Sequence, residues 1–294
     1  MADKTTTLLT GLRFGEGPRH GPDGRFYLSD FYAHEVLTVD LATGRRERIC
    51  EVAGQPSGLG WLPDGRLLIV SMLDRRVLRR EPDGSLVEHA DLSGIATFHS
   101  NDMLVDPVGR AYVGNFGFDL HAAIDEFGIA GLADGSVEPV PAKLALVSPR
   151  GEVSAAGPEL AFPNGMVLIG TTLVIAETLA FGLTAFDVAA DGSLSNRRVW
   201  ADLQPHGIAP DGICADADGA IWTSSVLGTG AFRVTEGGSI TDEVSTAQTC
   251  FAVALSGPRR RTLVCVTAPS SQPRTVANER LGALEITEVA VPGR

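Results

Sequence analysis

The chain has 294 residues, including 34 Gly and 17 Pro, together roughly one residue in six against an average of about 12%. The glycines are evenly spread and 44% of residues are hydrophobic, so collagen and low-complexity disorder are excluded and a sizeable core is expected. The formal net charge of −12, with a pI of about 4.9, argues against nucleic acid or an anionic membrane surface as partner.

The first residues, MADKT, lack a basic segment followed by an apolar stretch. The longest apolar run, 166–176, is about half a membrane span. The four cysteines (Cys50, Cys214, Cys250, Cys265) show no CxxC or zinc spacing. A cytoplasmic protein with reduced thiols and no membrane contact is the expectation. The basic run 259–261, beside Gly257 and Pro258, reads as a solvated turn.

In chain order, 21–30 (GPDGRFYLSD), 62–71 (LPDGRLLIVS), 106–114 (DPVGRAYVG) and 216–224 (DADGAIWTS) are copies of one unit. Degenerate copies stand at 169–176 (IGTTLVIA) and 257–265 (GPRRRTLVC). Each copy is a tight turn leading into a short apolar strand, and each is preceded by another strand, as at 101–105 and 211–215. Outer strands follow, as at 34–41 (HEVLTVDL) and 181–188 (FGLTAFDV). Gly24, Gly65 and Gly109 are 41 and 44 residues apart, about one four-stranded propeller blade. The next interval is 62 residues, which places an insertion, a short helix and a loop, within 116–142. Six units predict an all-β fold, a six-bladed β-propeller forming a single domain over 1–294. A sandwich or barrel would not require the same hairpin six times. Residues 5–9 are expected to pair with strands of 261–291, closing the ring and hiding sheet edges.

The innermost strands of a propeller share an axis, so equivalent positions face a common channel. The residue eight before each turn glycine is Glu16, Ser57, Asn101 and Asp211. Sliding the degenerate copies by one or two residues adds Asn164 and Phe251. Acidic and amide residues are disfavoured in strands, and two carboxylates buried on one axis would cost several kcal/mol unless neutralised. A divalent cation neutralises them. An all-oxygen donor set suits Ca²⁺ or Mg²⁺, with no His or Cys to favour zinc.

The segments 16–18 (EGP), 100–103 (SNDM), 162–166 (FPNGM) and 210–214 (PDGIC) resemble the metal-ligand motifs of the senescence-marker-protein/gluconolactonase/luciferin-regenerating-enzyme family. The likeness extends over nearly the whole chain. It implies a six-bladed propeller with one divalent metal held by Glu16, Asn101, Asn164 and Asp211. Family members are mostly lactone hydrolases, working with Ca²⁺, Zn²⁺, Mn²⁺, Mg²⁺ or Fe²⁺, and related propellers hydrolyse organophosphates. By the same comparison Asp211 is the general base that takes the proton of the attacking water, with Glu16 the competing carboxylate. No GxSxG elbow is present, which argues against an acyl-enzyme.

Sugar-acid lactonases commonly carry Arg two residues before the first Asn ligand, where this chain has His99. With Phe98, Phe116 and Phe118 nearby in sequence, the expected substrate is a small-molecule lactone other than a simple sugar lactone. His99, Phe116, His121 and His206 are the candidate substrate contacts. Phe251 is expected to form an apolar wall, Trp61 and Trp222 to pack between blades, and Cys214 and Cys265 to lie on buried strands. Two alternatives stand beside the lactonase: a phosphotriesterase-like hydrolase using the same metal, and a non-catalytic calcium-binding propeller.

Overall fold

A computed structural model describes residues 3–138 and 140–294. Its architecture is an all-β propeller. Four sheets are separate four-stranded antiparallel meanders, of which the first comprises Gly15–His20, Phe26–Asp30, Glu35–Val39 and Arg46–Glu51. The other three begin with the strands Pro56–Trp61, Ser100–Val105 and Pro163–Ile169. The remaining strands form one nine-stranded sheet rather than two separate expected blades. Within it, Ile221–Ser225 and Thr249–Ser256 touch through a single pair, Ser225 with Cys250. The six strands beginning at Gly15, Pro56, Ser100, Pro163, Pro210 and Thr249 each pack against the next, and the last packs against the first.

The repeated turn explains the hairpins. In the first copy the Asp23 carboxylate accepts from the Arg25 amide at 3.1 Å and its side-chain Nε at 2.7 Å. Asp64 does the same for Arg66 at 3.1 and 2.9 Å. Gly65 then takes φ 86°, a conformation that a side chain would resist. These pairs are solvent-exposed, so they specify the turn and add little stability.

Apolar faces of neighbouring sheets supply the core. Val167, Val174 and Trp200 of the fourth sheet meet Ile213, Ile221 and Val234 of the next strands. Trp222 is buried among Cys250, Val253, Leu263 and Cys265, with half-buried Cys214 packed against them. Trp61 stands edge-on to Tyr27 at 5.1 Å. The ends of the chain close the ring. Thr6–Leu12 pairs antiparallel with Gly282–Glu288, from Thr6 opposite Ile286 to Leu12 opposite Gly282, beginning one residue and ending three residues beyond the expected 5–9. Buried Glu285 holds this seam by accepting from Thr5 Oγ1, from Thr267 Oγ1 at 2.9 Å and from the Ala247 amide at 2.9 Å.

The insertion forms two short helices, α1 (Leu120–Phe127) and α2 (Gly131–Asp134). Asp119 caps α1 by accepting from the Ala122 amide at 2.9 Å. A third short helix, α3 (Pro273–Val276), faces α1 across the mouth of the channel, where Arg274 pairs with Asp125 at 3.0 Å. Among the described residues no helix is long and apolar enough to cross a membrane.

Candidate active site in the central channel

Each ring residue sits at the start of an innermost strand: Glu16, Ser57, Asn101, Asn164 and Asp211 second, and Phe251 third. Every one of these strands carries a bulge at that point. Register skips from Pro56 to Leu59, from Ser100 to Met103, from Pro163 to Met166 and from Pro210 to Ile213. The first and sixth strands skip after Glu16 and after Cys250. A bulge re-aims side chains and bends the strand, and here it turns all six ring residues into one cavity of about 60 Å³.

The residue after the ring position is Gly17, Gly58, Gly165 or Gly212 in four strands, for a steric reason. A Cβ on Gly165 would lie 2.6 Å from the Asp211 carbonyl, and one on Gly212 would lie 2.7 Å from the Ala252 Cα. The strands approach too closely for a side chain. The third strand departs from this pattern with Asp102, whose carboxylate also lines the cavity and is only 3% exposed.

Neighbouring strands pin the segments that lead into the ring. Asp30 accepts from the Phe14 amide at 2.9 Å, Glu177 from the Ala161 amide at 2.7 Å, and Ser225 Oγ from the Ala209 amide at 3.3 Å. Both ring amides are tied down, Asn101 to the neighbouring innermost strand and Asn164 within its own blade. Asn101 Nδ2 donates to the Pro163 carbonyl at 3.1 Å and Asn164 Nδ2 to Thr178 Oγ1 at 3.2 Å. Thr178 in turn donates to the Pro210 carbonyl at 2.7 Å.

The electrostatics are unbalanced. Glu16, Asp102 and Asp211 are all buried, and among the described residues no Lys or Arg lines the cavity. Burial, then the charges of Asp211 and Asp102, push the Glu16 carboxyl well above the usual carboxylate range. Burial and the Asp102 charge do the same to Asp211, against a hydrogen bond from Asn164. Asp102 is raised by burial, with Arg19 partly opposing. The Arg19 guanidinium is engaged by the carbonyls of Pro18 and Met103 at 2.9 and 2.8 Å.

Above this polar floor the cavity is apolar. Phe14 stands edge-on to Phe251 at 4.8 Å, and Phe116 packs on Phe162 at 4.9 Å. Leu120, His121 and Ile124 of α1 roof it, together with Ile129. The His121 ring is 6.2 Å from Phe116, and burial lowers its basicity.

Residues 14–269 match the family described as SMP-30/Gluconolactonase/LRE-like region. The chain belongs to that family. It is 26% identical over 245 residues to diisopropyl-fluorophosphatase of Loligo vulgaris, covering 75% of this chain and 76% of that protein. It is 28% identical over 203 residues to regucalcin of Danio rerio, covering 67% and 61%. Among solved structures, a calcium-binding protein, regucalcin, from Agrobacterium tumefaciens superposes with a TM-score of 0.79 at 20% identity, covering 100% of this chain and 97% of that one. This last likeness concerns the fold.

The site fits the cation that the family implies. Asn101 Oδ1 is buried and accepts no hydrogen bond, and three buried carboxylates have no countercharge in the cavity. Glu16, Asn101, Asn164 and Asp211 would hold the ion, and their donors are all oxygen, suited to a hard cation. Among the described residues no three His, Cys, Asp or Glu side chains are grouped to hold a metal on their own. Half of this donor set is amide, so it falls outside such a grouping.

Of the four candidate substrate contacts, Phe116 and His121 line the cavity. His99 and His206 do not. The His99 ring stacks on Phe98 at 4.1 Å, and its carbonyl accepts from the Phe116 amide at 2.9 Å, so the residue supports the wall from behind. His206 ends a short turn and is exposed to solvent, because the chain needs a further four residues to reach Asp211. Phe251 is a wall, as the ring alignment predicts. Sequence reasoning missed Asp102, Phe14, Phe31, Phe162 and Thr178. A signal was present for three of them: Phe14 and Phe162 each stand two residues before a ring residue, and Asp102 occupies a position that is Gly in four other copies.

Proposed function

We propose that this protein is a divalent-metal-dependent hydrolase that opens the ring of a small-molecule lactone to a hydroxy acid. The observation that carries the reading is the ring itself: four oxygen-donor side chains turned by strand bulges into one channel, with buried carboxylates and no countercharge. Family membership supports hydrolysis. The ligand set proposed is Glu16, Asn101, Asn164 and Asp211, with Ca²⁺ favoured and Mg²⁺, Zn²⁺, Mn²⁺ or Fe²⁺ as alternatives. We further read the nine-stranded sheet as two blades sharing one residue pair, giving a six-bladed propeller and a single domain over 1–294. The four unpaired cysteines suit a cytoplasmic, reducing setting.

A cation bound there would supply Lewis acidity to the carbonyl oxygen of the substrate. The chain's own residues do the rest. Asp211 takes the proton from the water that adds to the carbonyl carbon. The ring C–O bond then breaks, and the departing oxygen is protonated to the hydroxyl of the product. Asn164, held by Thr178, stands beside the Asp211 carboxyl and favours its charged form. The Phe walls exclude bulk water from the reacting centre.

Replacing Asp211 by Asn keeps size and shape while removing the base. The expected loss is roughly 10²–10⁴-fold in kcat, with the far-ultraviolet circular dichroism spectrum unchanged. Retained activity removes Asp211 from the base role and leaves Glu16, tested in the same way as Glu16→Gln. A phosphotriesterase-like reading is favoured by one observation, the 26% identity to diisopropyl-fluorophosphatase. It is decided by offering a phosphotriester beside the lactones to the same preparation.

A further inference from the structure

We infer that the site takes an uncharged ester or lactone with a flat apolar body, and that the insertion helix α1 sets this preference. The inference rests on the hydrolase reading only for the word ester; the apolar body follows from the cavity. All charged lining residues among those described, Glu16, Asp102 and Asp211, lie on the floor, where the reacting centre would sit. From the floor upwards the walls are rings. Phe14, Phe31 and Phe251 form one aromatic cluster, and Phe116 and Phe162 form the opposite one. The roof adds Leu120, Ile124 and Ile129.

Hydroxyls or a carboxylate on the substrate body would leave water for a surface whose polar side chains above the floor, among the described residues, are His121, Ser271 and Thr178, the last already bonded to Asn164 and the Pro210 carbonyl. A polyhydroxylated acid lactone has no partners there, and no Arg or Lys among the described residues awaits a second carboxylate or a phosphate. Flat apolar bodies instead match aromatic faces on two sides. Phe162 strengthens the case, because it holds φ 60°, a left-handed backbone rarely adopted by a bulky residue. Its carbonyl is fixed by the Thr178 amide at 3.2 Å and its ring by Phe116. This backbone aims a ring at the cavity.

The free volume of about 60 Å³ holds a few waters and not such a body, so on this reading α1 shifts to admit it. Among the described residues the polar contacts of α1 with the α3 side of the rim are light: the exposed Arg274–Asp125 pair at 3.0 Å and the Gln272 Nε2 bond to the His121 carbonyl at 3.4 Å. Leu120 and Ile124 share an apolar cluster with Leu179 and Val226. The roof is apolar on its underside and weakly latched above.

Binding tests this independently of turnover. Calorimetric titration of the full chain is run with isoindolinone (the unreactive lactam of the aromatic lactone phthalide), with its carboxylated derivative, and with gluconolactam. Isoindolinone is expected to bind at least tenfold tighter than either of the others. Ile124→Asp and the milder Leu120→Gln, both checked for folding by circular dichroism, are expected to weaken isoindolinone at least tenfold. Equal or tighter binding of gluconolactam or of the carboxylated lactam overturns the inference. So does absent isoindolinone binding, or undiminished binding by the folded roof variants. Phthalide hydrolysis in the same preparation judges the hydrolase reading separately: binding without turnover leaves the pocket's preference standing and removes the catalysis.

Discussion

Asp102 shows how one residue changes the reading of a site. Sequence alignment of the repeats places two carboxylates on the axis, whereas the folded chain buries a third beside them. The omission has a physical origin. Asp102 is one position past the ring residue, and only the bulge, invisible in residue types, brings both into the cavity. Glu16, Asn101 and Asp211 could be aligned from sequence because a turn glycine eight residues on supplies a register mark, whereas Asn164 precedes a degenerate copy and needs a slide of one or two residues. The glycines after the ring residues belong to the same scale. Gly165→Val would press a side chain on the Asp211 carbonyl and the Ile213 amide, each 2.6 Å from the ideal Cβ. Neither backbone atom can yield without moving a neighbouring strand. A loss of about 1–3 kcal/mol in urea-induced unfolding is expected.

At the scale of elements, hairpins and turns follow from local chemistry, and so they are evident in the sequence. The Asp-Gly turns form the same Asp–Arg hydrogen bonds in successive copies, at 2.7 Å for Arg25 and 2.9 Å for Arg66. The insertion is different. Its composition announces a helix, but nothing in it announces that the helix will roof the channel, because that depends on contacts with Leu179 and Val226 far along the chain. Sequence proximity likewise brings His99 and His206 near the ring, while in the fold the His99 ring lies against Phe98 and His206 ends an exposed turn. Asp119 caps α1 and lies outside the cavity. Asp119→Ala should cost the helix about 1 kcal/mol. Hydrogen exchange is expected to accelerate in 120–127 and stay unchanged in the strands of the first sheet. Uniform acceleration would instead mean that α1 is part of the global folding unit.

For the whole molecule, closure is the decisive feature. Thr6–Leu12 completes the last run of strands, so the chain's beginning and end stabilise each other across the entire sequence. Glu285 concentrates that dependence, since its carboxylate gathers Thr5, Thr267 and the Ala247 amide in a buried place. Glu285→Ala leaves these donors unmatched and should destabilise the chain by about 1–3 kcal/mol in denaturant. Protease cleavage is expected to begin in the first strands. The propeller was evident from the repeat length. That two of its repeats merge into one sheet was not, because the single Ser225–Cys250 contact depends on how closely two strands happen to approach.

Glu16, Asp102 and Asp211 are buried in a cavity that no Lys or Arg among the described residues lines, and the proposed function gives them an ion as partner. The direct measurement is pH-stat titration of aromatic, aliphatic and sugar lactones with chelator-stripped protein, before and after adding back one equivalent of Ca²⁺ or Mg²⁺. The account predicts acid release that disappears on stripping and returns with the metal. It also predicts that Glu16→Gln and Asn164→Ala, shown by elemental analysis to carry less metal, fail to recover. Undiminished turnover in the stripped protein, or none on any lactone when reconstituted, would contradict it.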